Sequence, residues 1–252
     1  MDGIYFFNVF LISGNADPET SLALNSNVLV DFHSCLNVKV NDLIARNARR
    51  RNLPAKTIFV RPGDLVDSIY YIQKGRTRHY MVNSDGSEKV SYILNDGWFL
   101  REGAFLRPES PSFAERFSIT EIATTFYIID KPCYDRLIRD PDFSQELLRS
   151  SSTKNLLLRR EMESMVFDTA AERVLKLLAV SANLSETVDQ NWHRLKIAYT
   201  HQELAAIIGV NRVTVSRLMA SFSRTGELRM VNQRIQIRKD VVARLLQSES
   251  DC

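Results

Sequence analysis

Residues 200–222 read THQELAAIIGVNRVTVSRLMASF, and this stretch decides the C-terminal part of the fold. Thr200 and Glu203 have the spacing of a capping box, in which the hydroxyl accepts the backbone N–H of Glu203 and the carboxylate accepts that of Thr200. A helix therefore begins here. Gly209 is placed to end it, because glycine readily adopts the left-handed conformation that follows a helix.

A second helix follows, with Asn211 as its predicted N-cap. Its apolar residues recur at i, i+3, i+4 and i+7 and so share one buried side: Val215, Leu218, Met219 and Phe222. The opposite side carries Val213, Ser216, Arg217 and Ala220, with Arg212 at its edge. Two short helices joined by a glycine-containing turn are typical of a helix-turn-helix, whose second helix enters the major groove of DNA. A helical hairpin in another kind of core is the alternative from this stretch alone.

The charge of the chain is nearly balanced overall, at +3, but it is not balanced around this motif. Residues 201–239 contain seven Lys and Arg side chains against two Glu, which gives a local charge of +5. A basic patch on a motif of this size is expected of a surface that contacts DNA phosphates.

The composition limits the other classes of function. A chain of 252 residues, 44% of them hydrophobic, can form one or two domains. Cys35, Cys133 and Cys252 lie far apart, so the sequence predicts neither a disulfide framework nor a metal or iron–sulfur site, and we expect no cofactor. The sequence contains neither a nucleophile–base constellation nor a phosphate loop, so we do not expect an enzyme. The apolar run at residues 4–12 is too short to span a bilayer, so we expect a cytoplasmic protein, with a cleaved signal as the alternative.

Residues 56–130 alternate short β-rich segments with turn residues such as Arg61-Pro62-Gly63-Asp64 and Asn83-Ser84-Asp85-Gly86. The segments are 57–60, 68–73, 77–82, 89–94, 117–122 and 125–129. Regularly spaced strands with such turns predict an antiparallel sandwich or jelly roll.

The period changes after this region. Residues 143–167 lack proline and glycine, which predicts a long helix whose apolar side needs a partner helix. A second amphipathic helix extends from Ala171 to Ala182, and a polar stretch at 185–191 separates it from the helix-turn-helix. Two strand candidates at 228–231 and 234–238 predict a basic β-hairpin wing after the second helix of the motif.

The order of these parts resembles the Crp/Fnr family of bacterial transcription regulators, over about residues 53–246. The resemblance is carried by RPGD at 61–64, IYYIQKGRTR from Ile69, NSDGSEK from Asn83, NDGWF from Asn95, AAERVLKLL from Ala170 and THQELAAIIGVNRVTVSRLM from Thr200. It implies an α+β fold with an N-terminal antiparallel β-roll (jelly roll, cyclic-nucleotide-binding-like) at 1–140, a long dimerisation helix at 141–168 and a C-terminal winged helix-turn-helix at 169–252. It also implies a homodimer on an inverted repeat in double-stranded DNA, a small-molecule effector, and RNA polymerase as a partner if the protein is an activator.

The resemblance assigns DNA contacts to eight positions. Those that face the bases in the family correspond to Arg212, Val213, Ser216 and Arg217, and those that contact phosphates to His201, Gln202, Asn211 and Thr214. Arg217 can make a bidentate contact to guanine worth ~1–3 kcal/mol, with a phosphate contact as its alternative role. Family members with glutamate in place of Val213 can accept a hydrogen bond from cytosine, whereas valine can only contact a thymine methyl. We therefore expect half-sites that are A/T-rich under Val213.

The resemblance also implies an effector site near residues 99–105, where members that bind cyclic AMP use a glutamate for the ribose and, further on, an arginine for the phosphate. Glu102 matches that glutamate, but Arg101 replaces the usual glycine and Glu115 stands at the phosphate position. A glutamate there repels a cyclic phosphate. The positions that face adenine are also changed from small hydroxyl residues, and the candidate effector-binding residues are Arg101, Glu102, Arg116, Phe117, Leu158 and Arg159.

We therefore expect an effector other than cyclic AMP, such as an aromatic acid or another small organic anion that binds through Arg101, Arg116 or Arg159. The alternative role of these arginines is in structural salt bridges with Glu102 or Glu115.

Other interpretations stay open. The regulator could act without an effector, or respond to redox state through its cysteines, although their spacing does not support a redox pair. A nucleotide-binding signalling module that acts on a protein partner is a further alternative. A catalytic jelly roll would need a histidine cluster on its strands, and His33, His79, His193 and His201 are scattered along the sequence.

Overall fold

The computed structural model describes residues 38–106, 112–189 and 191–247. The N-terminal part forms a β-roll flanked by helices, with α1 (Val38–Asn47), β1 (Arg49–Leu53), β2 (Ile58–Val60), β3 (Ser68–Lys74), β4 (Thr77–Val82), β5 (Glu88–Leu94), β6 (Phe99–Leu100), α2 (Gly103–Leu106), β7 (Phe117–Thr120), β8 (Thr124–Asp130) and α3 (Lys131–Leu137). The strands make two antiparallel sheets, with the orders β1-β8-β3-β6 and β2-β7-β4-β5. The predicted jelly roll is confirmed, with strand bounds that differ from the sequence-based ones by one or two residues.

The C-terminal part continues with α4 (Pro141–Phe167), α5 (Ala170–Val180), β9 (Ala182–Asp189), β10 (Trp192–Leu195), α6 (His201–Ile208), α7 (Arg212–Arg224), β11 (Leu228–Val231), β12 (Arg234–Arg238) and α8 (Lys239–Gln247). The strands form a third antiparallel sheet in the order β11-β12-β10-β9. The predicted helix-turn-helix and wing are therefore confirmed, and the two wing strands have the predicted bounds.

One prediction about residues 182–191 was wrong. Ala182 does not continue the second amphipathic helix, because α5 ends at Val180 and the hydroxyl of Ser181 donates to the carbonyl of Leu177. The polar stretch at 185–191 does lie between α5 and α6, and most of it is strand β9. This strand pairs only with β10, so it is an edge strand, and an edge strand can carry a polar sequence.

Helix α4 joins the two parts. Asp140 caps its N-terminus by accepting from the backbone of Asp142 and Phe143. The first half of the helix is anchored in the β-roll through Phe143 and Leu147, both fully buried. The second half exposes large apolar side chains, which include Met162 and Val166, at 67% and 74% exposure. No helix in the described ranges has the length and hydropathy that crossing a bilayer requires.

The core of the helix-turn-helix extends onto the β-roll. Tyr80, Val90 and Ile93 of the sheet β2-β7-β4-β5 belong to the same buried cluster as the apolar sides of α5, α6 and α7. Lys89 of β5 donates to the carbonyl of Ile207 (2.5 Å) and pairs with Glu161 of α4 (2.6 Å). Lys89 therefore links the β-roll to both the long helix and the DNA-binding motif.

Candidate nucleic-acid interface and ligand cavity

The first helix of the motif has the predicted ends. The hydroxyl of Thr200 accepts the Glu203 backbone N–H (3.1 Å), and the Glu203 carboxylate accepts the Thr200 backbone N–H (2.8 Å). Gly209 ends the helix at a φ of 80°, and its N–H donates to the carbonyl of Ala205. A Cβ at Gly209 would lie 3.1 Å from Cδ of Lys89, so both the backbone conformation and the close approach of the sheet favour glycine.

The second helix, α7, presents its outward side to solvent. Asn211 caps it, with Oδ1 accepting from the backbone N–H (2.8 Å) and the hydroxyl (2.9 Å) of Thr214. Val213 is 58% exposed, while Val215 on the opposite side is fully buried. Arg212 and Arg217 are exposed, and neither forms an ion pair with any described residue. Two guanidinium groups are therefore available at the N-terminal half of this helix.

The start of α6 lies beside this side of α7. His201 Nδ1 is 3.0 Å from the hydroxyl of Ser216, so the first residue of one helix contacts the other. Gln202 is exposed next to it. The structure thus brings together the eight predicted DNA-contacting positions on the first turn of α6 and the first half of α7. Two pairs among them, His201 with Ser216 and Asn211 with Thr214, are hydrogen-bonded to each other.

The wing uses part of its positive charge internally. Arg229 donates to Asp189 (2.6 Å) and Gln236 (2.7 Å) and lies 4.4 Å from the Trp192 ring. Hydrogen bonds from the Asn191 backbone and from Arg229 lower the pKa of Asp189. Arg229 therefore stabilises the sheet rather than remaining free for DNA.

Arg238 is also paired within the wing, with Asp240 at 2.5 Å. Arg224 and Arg234 are exposed and form no ion pair within the described part of the chain. Together with Arg212 and Arg217, they are the arginines of this region that remain for an external anion.

A cavity of about 150 Å³ lies in the β-roll, against the face of the sheet β2-β7-β4-β5 that points away from the helix-turn-helix. Strand alternation makes this sheet a shared wall: Ser118 lines the cavity, whereas Phe117 and Ile119 pack against the core of the DNA-binding motif. The lining consists of Val60, Val66, His79, Tyr92, Leu100, Arg101, Gly103, Ser112, Phe113, Ala114, Glu115, Arg116 and Ser118.

Neutral polar groups form one wall of the cavity. His79 is 4% exposed, with Nε2 2.9 Å from the Thr77 hydroxyl and Nδ1 2.9 Å from the Ser118 hydroxyl. Burial, followed by the nearby charges of Lys154 and Arg116, lowers the pKa of His79 to about 3, so the ring is neutral near pH 7. The Tyr92 ring lies 4.8 Å from it, and burial raises the pKa of Tyr92 to about 12.

The two arginines in the lining differ in how they are held. Arg101 donates from Nη2 to the carbonyl of Leu65 (2.8 Å) and stands 5.6 Å from the Tyr70 ring. Among the described residues, the ion-pair partner of Arg116 is Glu115, 4.0 Å from Nη1, and that carboxylate side chain is 75% exposed. Nε of Arg116 is buried and has no hydrogen-bond partner among the described residues. Arg116 is therefore the cation that is less firmly held.

Glu102 is turned away from the cavity. It forms a short ion pair with Lys154 of α4, and Lys154 also donates to the carbonyl of Phe99 (2.8 Å). The side chains of Glu102 and Lys154 are only 6% and 11% exposed, and burial lowers the pKa of Lys154 although Glu102 opposes this shift. The glutamate expected to bind a ribose is thus paired with a lysine of the same chain.

Three other predicted effector residues also lie outside the cavity lining. Phe117 stacks on Tyr80, on the opposite face of the sheet. Leu158 packs against the cluster that contains Trp98, and Arg159 is exposed on α4. The structure therefore brings only Arg101 and Arg116 of the six to the cavity. His79, Tyr92 and Ser118 were missed. His79 pairs with both Ser118 and Tyr92 across the sheet. A β-bulge in β5 places Tyr92 on the face opposite to Val90, which a two-residue period does not predict.

The described residues contain no cluster of three or more His, Cys, Asp or Glu side chains that could hold a metal ion. Cys133 is buried, its thiol donates to the carbonyl of Asn47, and burial raises its pKa. Cys35 and Cys252 lie outside the described ranges.

Comparison with known proteins agrees with both halves of this structure. Residues 50–140 match the cyclic nucleotide-binding domain, and residues 172–240 match the Crp-like helix-turn-helix domain. The chain is 22% identical over 193 residues to the anaerobic regulatory protein of Haemophilus influenzae, which covers 75% of this chain and 72% of the relative. It is 25% identical over 182 residues to the CRP-like cAMP-activated global transcriptional regulator of Mycobacterium tuberculosis, covering 72% of this chain and 80% of the relative.

A solved structure with the same fold is that of the c-di-GMP responsive global regulator CLP of Xanthomonas campestris. The two chains are 19% identical, and the TM-score is 0.69, with 80% of this chain and 99% of that chain covered.

Proposed function

The chain belongs to the Crp/Fnr family of transcriptional regulators, and on that premise we propose that it acts as a homodimer that binds an inverted repeat in DNA under the control of a small organic anion. Regulators of this family bind DNA and a small effector, act as dimers and are not enzymes. The observation that carries the proposal is the exposed side of α7, where Arg212 and Arg217 flank Val213 without ion-pair partners among the described residues.

Arg217 is the residue that we propose for specific readout. Its position on the outward side allows a two-pronged contact to O6 and N7 of guanine, which discriminates against other bases by ~1–3 kcal/mol. Arg224 and Arg234, at the end of α7 and in the wing, are suited to phosphates, which carry affinity rather than specificity. Gln202 and the backbone at the start of α6 add contacts that fix the register.

Val213 supports the A/T-leaning half-site. Val213 is 58% exposed, so its methyl groups are accessible for an apolar contact. In the major groove it can pack against a thymine methyl, and it offers no acceptor to cytosine.

The exposed apolar side of α4 supports the homodimer. At about 100° per residue, Leu148, Leu156, Met162 and Val166 fall within a sector of about 120° of this helix. All four are more than a third exposed in one chain. A second copy of α4 would cover them, and a two-fold axis there would set the recognition helices about one helical turn of DNA, ~34 Å, apart. We propose residues 1–140, 141–168 and 169–252 as the sensor, dimerisation and DNA-binding regions.

Two observations support an effector other than cyclic AMP. The carboxylate of Glu102 is paired with Lys154 and so is not free for a ribose, and Glu115 rather than an arginine stands at the position of the family's phosphate ligand. The relatives give no single answer, because one is described as cAMP-activated and another as c-di-GMP responsive. If this protein activates transcription, we expect RNA polymerase as a further partner.

The test is fluorescence anisotropy on a DNA site that the unaltered protein has enriched from a genomic library. We expect Arg217→Ala to weaken specific binding by roughly 5- to 150-fold and to leave non-specific binding nearly unchanged. Arg224→Ala is the matched control on the same helix. It should weaken both kinds of binding equally and lower the slope of log K against log salt by about 0.9. Unchanged specific binding by Arg217→Ala would contradict the proposal.

A further inference from the structure

The cavity wall contains an N–H group that the chain itself does not satisfy. Nε of Arg116 is buried without a partner among the described residues, and its guanidinium is 4.0 Å from the mostly exposed carboxylate of Glu115. A buried donor without an acceptor is unfavourable, and an external acceptor can satisfy it. An acceptor that enters the cavity would remove this cost.

Apart from the exposed Glu115, the other charged groups near the cavity have partners within the chain. Arg101 is held by the carbonyl of Leu65, although its own Nε is also unpaired. Glu102 and Lys154 form an ion pair with each other, and neither residue belongs to the cavity lining. A guanidinium that is available in a partly dry site matches a carboxylate, because the two planar groups can form two parallel hydrogen bonds.

The rest of the wall is suited to a flat apolar body. Val60, Val66 and Leu100 give it aliphatic surface, and Tyr92 adds an aromatic ring. His79 supplies a second ring and no charge near pH 7, so it does not compete with Arg116 for an anion. Aromatic rings pack favourably against one another in tilted and offset arrangements.

The volume fits a small ligand. The cavity measures about 150 Å³. An apolar cavity of about that volume holds one benzene molecule. A cyclic nucleotide has two fused rings, a sugar and a phosphate, and so needs considerably more space than a single ring.

From these features we infer that the cavity binds a single-ring aromatic carboxylate, with its carboxylate on Arg116 and its ring between Tyr92 and the aliphatic wall. This deepens the effector part of the proposed function and rests on it. Ser118, whose hydroxyl lies between His79 and the cavity, offers an oxygen that can accept a hydrogen bond from a ring substituent.

The test is calorimetric titration of the full chain with benzoate, phenylacetate and the three hydroxybenzoates, beside benzamide and cyclic AMP. At least one carboxylate should bind saturably with one site per chain. Benzamide should bind at least tenfold more weakly than benzoate, because it keeps the ring and loses the charge. Cyclic AMP should not bind.

Two variants test the residue. Arg116→Gln should weaken carboxylate binding by about 10- to 100-fold, the loss of one charge-assisted contact. Arg139→Gln, which removes an exposed arginine outside both the cavity and α4, should leave it unchanged. Thermal unfolding of both variants checks that each remains folded.

Equal binding of benzoate by Arg116→Gln and the unaltered protein would overturn the inference, and so would saturable cyclic AMP binding or the absence of binding by all five carboxylates. DNA binding measured on the same preparations separates the two proposals. If DNA binding is intact and depends on Arg217 while no carboxylate binds, only the ligand assignment fails.

Discussion

The buried ion pair between Glu102 and Lys154 predicts a large and specific loss of stability when the lysine alone is replaced. Lys154→Met removes the ammonium group and retains most of the aliphatic chain. The Glu102 side chain, only 6% exposed, is then left as a buried charge without its partner. Breaking a buried pair in this way costs about 3–5 kcal/mol, a large share of the ~5–15 kcal/mol that stabilises a typical protein.

The double variant separates this loss from simple repacking. Lys154→Met combined with Glu102→Leu removes both charges, and a buried pair replaced by apolar side chains is often neutral or stabilising. We therefore expect the double variant to be more stable than Lys154→Met by at least about 2 kcal/mol.

Urea unfolding at a fixed protein concentration, followed by the fluorescence of the buried Trp98, measures these free energies. The exposed pair of Lys131 and Asp135 is the control, and Lys131→Met should cost less than about 1 kcal/mol. A loss below about 1 kcal/mol for Lys154→Met, or additive effects in the double variant, would refute the assignment of Glu102 to this pair.

Three further predictions concern the dimer, the helix cap and the response to acid. Met162→Asp places a charge on the exposed apolar side of α4 and should halve the mass measured by light scattering, whereas Leu184→Asp on the exposed edge strand β9 should not; an unchanged mass for Met162→Asp would contradict the proposed interface. Thr200→Ala removes the N-cap of α6 and should lower the free energy of unfolding by about 1 kcal/mol, and the absence of any loss in urea unfolding would contradict the capping role. Because the pKa of His79 falls from 6.5 to about 3 on folding, the unfolded chain binds a proton at pH values where the folded protein does not. The stability contributed by the neutral His79 ring is fully present above pH 6.5, and below that pH it is lost at up to ~1.4 kcal/mol per pH unit. His79→Gln should therefore flatten the pH dependence of the free energy of urea unfolding in acid, relative to the unaltered protein.

The DNA-binding motif could be predicted almost residue by residue because its determinants are local. Thr200, Gly209 and Asn211 each act through backbone groups within three or four residues, and the structure has all three in the predicted roles. The wing was predictable for the same reason, since the turn at Asn232 and Gln233 separates two strands with β-rich composition. Both turn residues have positive φ, at 51° and 61°.

Of the four strands that the sequence did not predict, β1, β6 and β9 lie at sheet edges, and β10 is an inner strand of four residues. β1 reads RRRNL, and four of its five residues are exposed, so it has no apolar alternation to detect. β9 also lies at the edge of its sheet and has a polar sequence, and β6 contains only two residues.

The cavity could not be predicted because its properties depend on contacts between distant segments. Glu102 matches the glutamate expected from the family, but nothing local to it indicates that Lys154, on a different helix, neutralises it. Likewise, Arg116 and Phe117 are adjacent in sequence, yet one lines the cavity and the other packs towards the DNA-binding motif. The alternation of side chains between the two faces of the sheet, rather than residue type, separates their roles.

Selection of binding sites from a random DNA library, by the unaltered protein and by Val213→Glu, tests whether the outward side of α7 reads DNA sequence. We predict an inverted repeat whose half-site centres are about 10 base pairs apart, in which one symmetry-related position changes from A·T to G·C between the two proteins, because glutamate can accept from cytosine N4. Three results would contradict sequence readout by this side of α7. They are the enrichment of no repeat, a strict G·C pair at that position for the unaltered protein, and identical sites for both proteins.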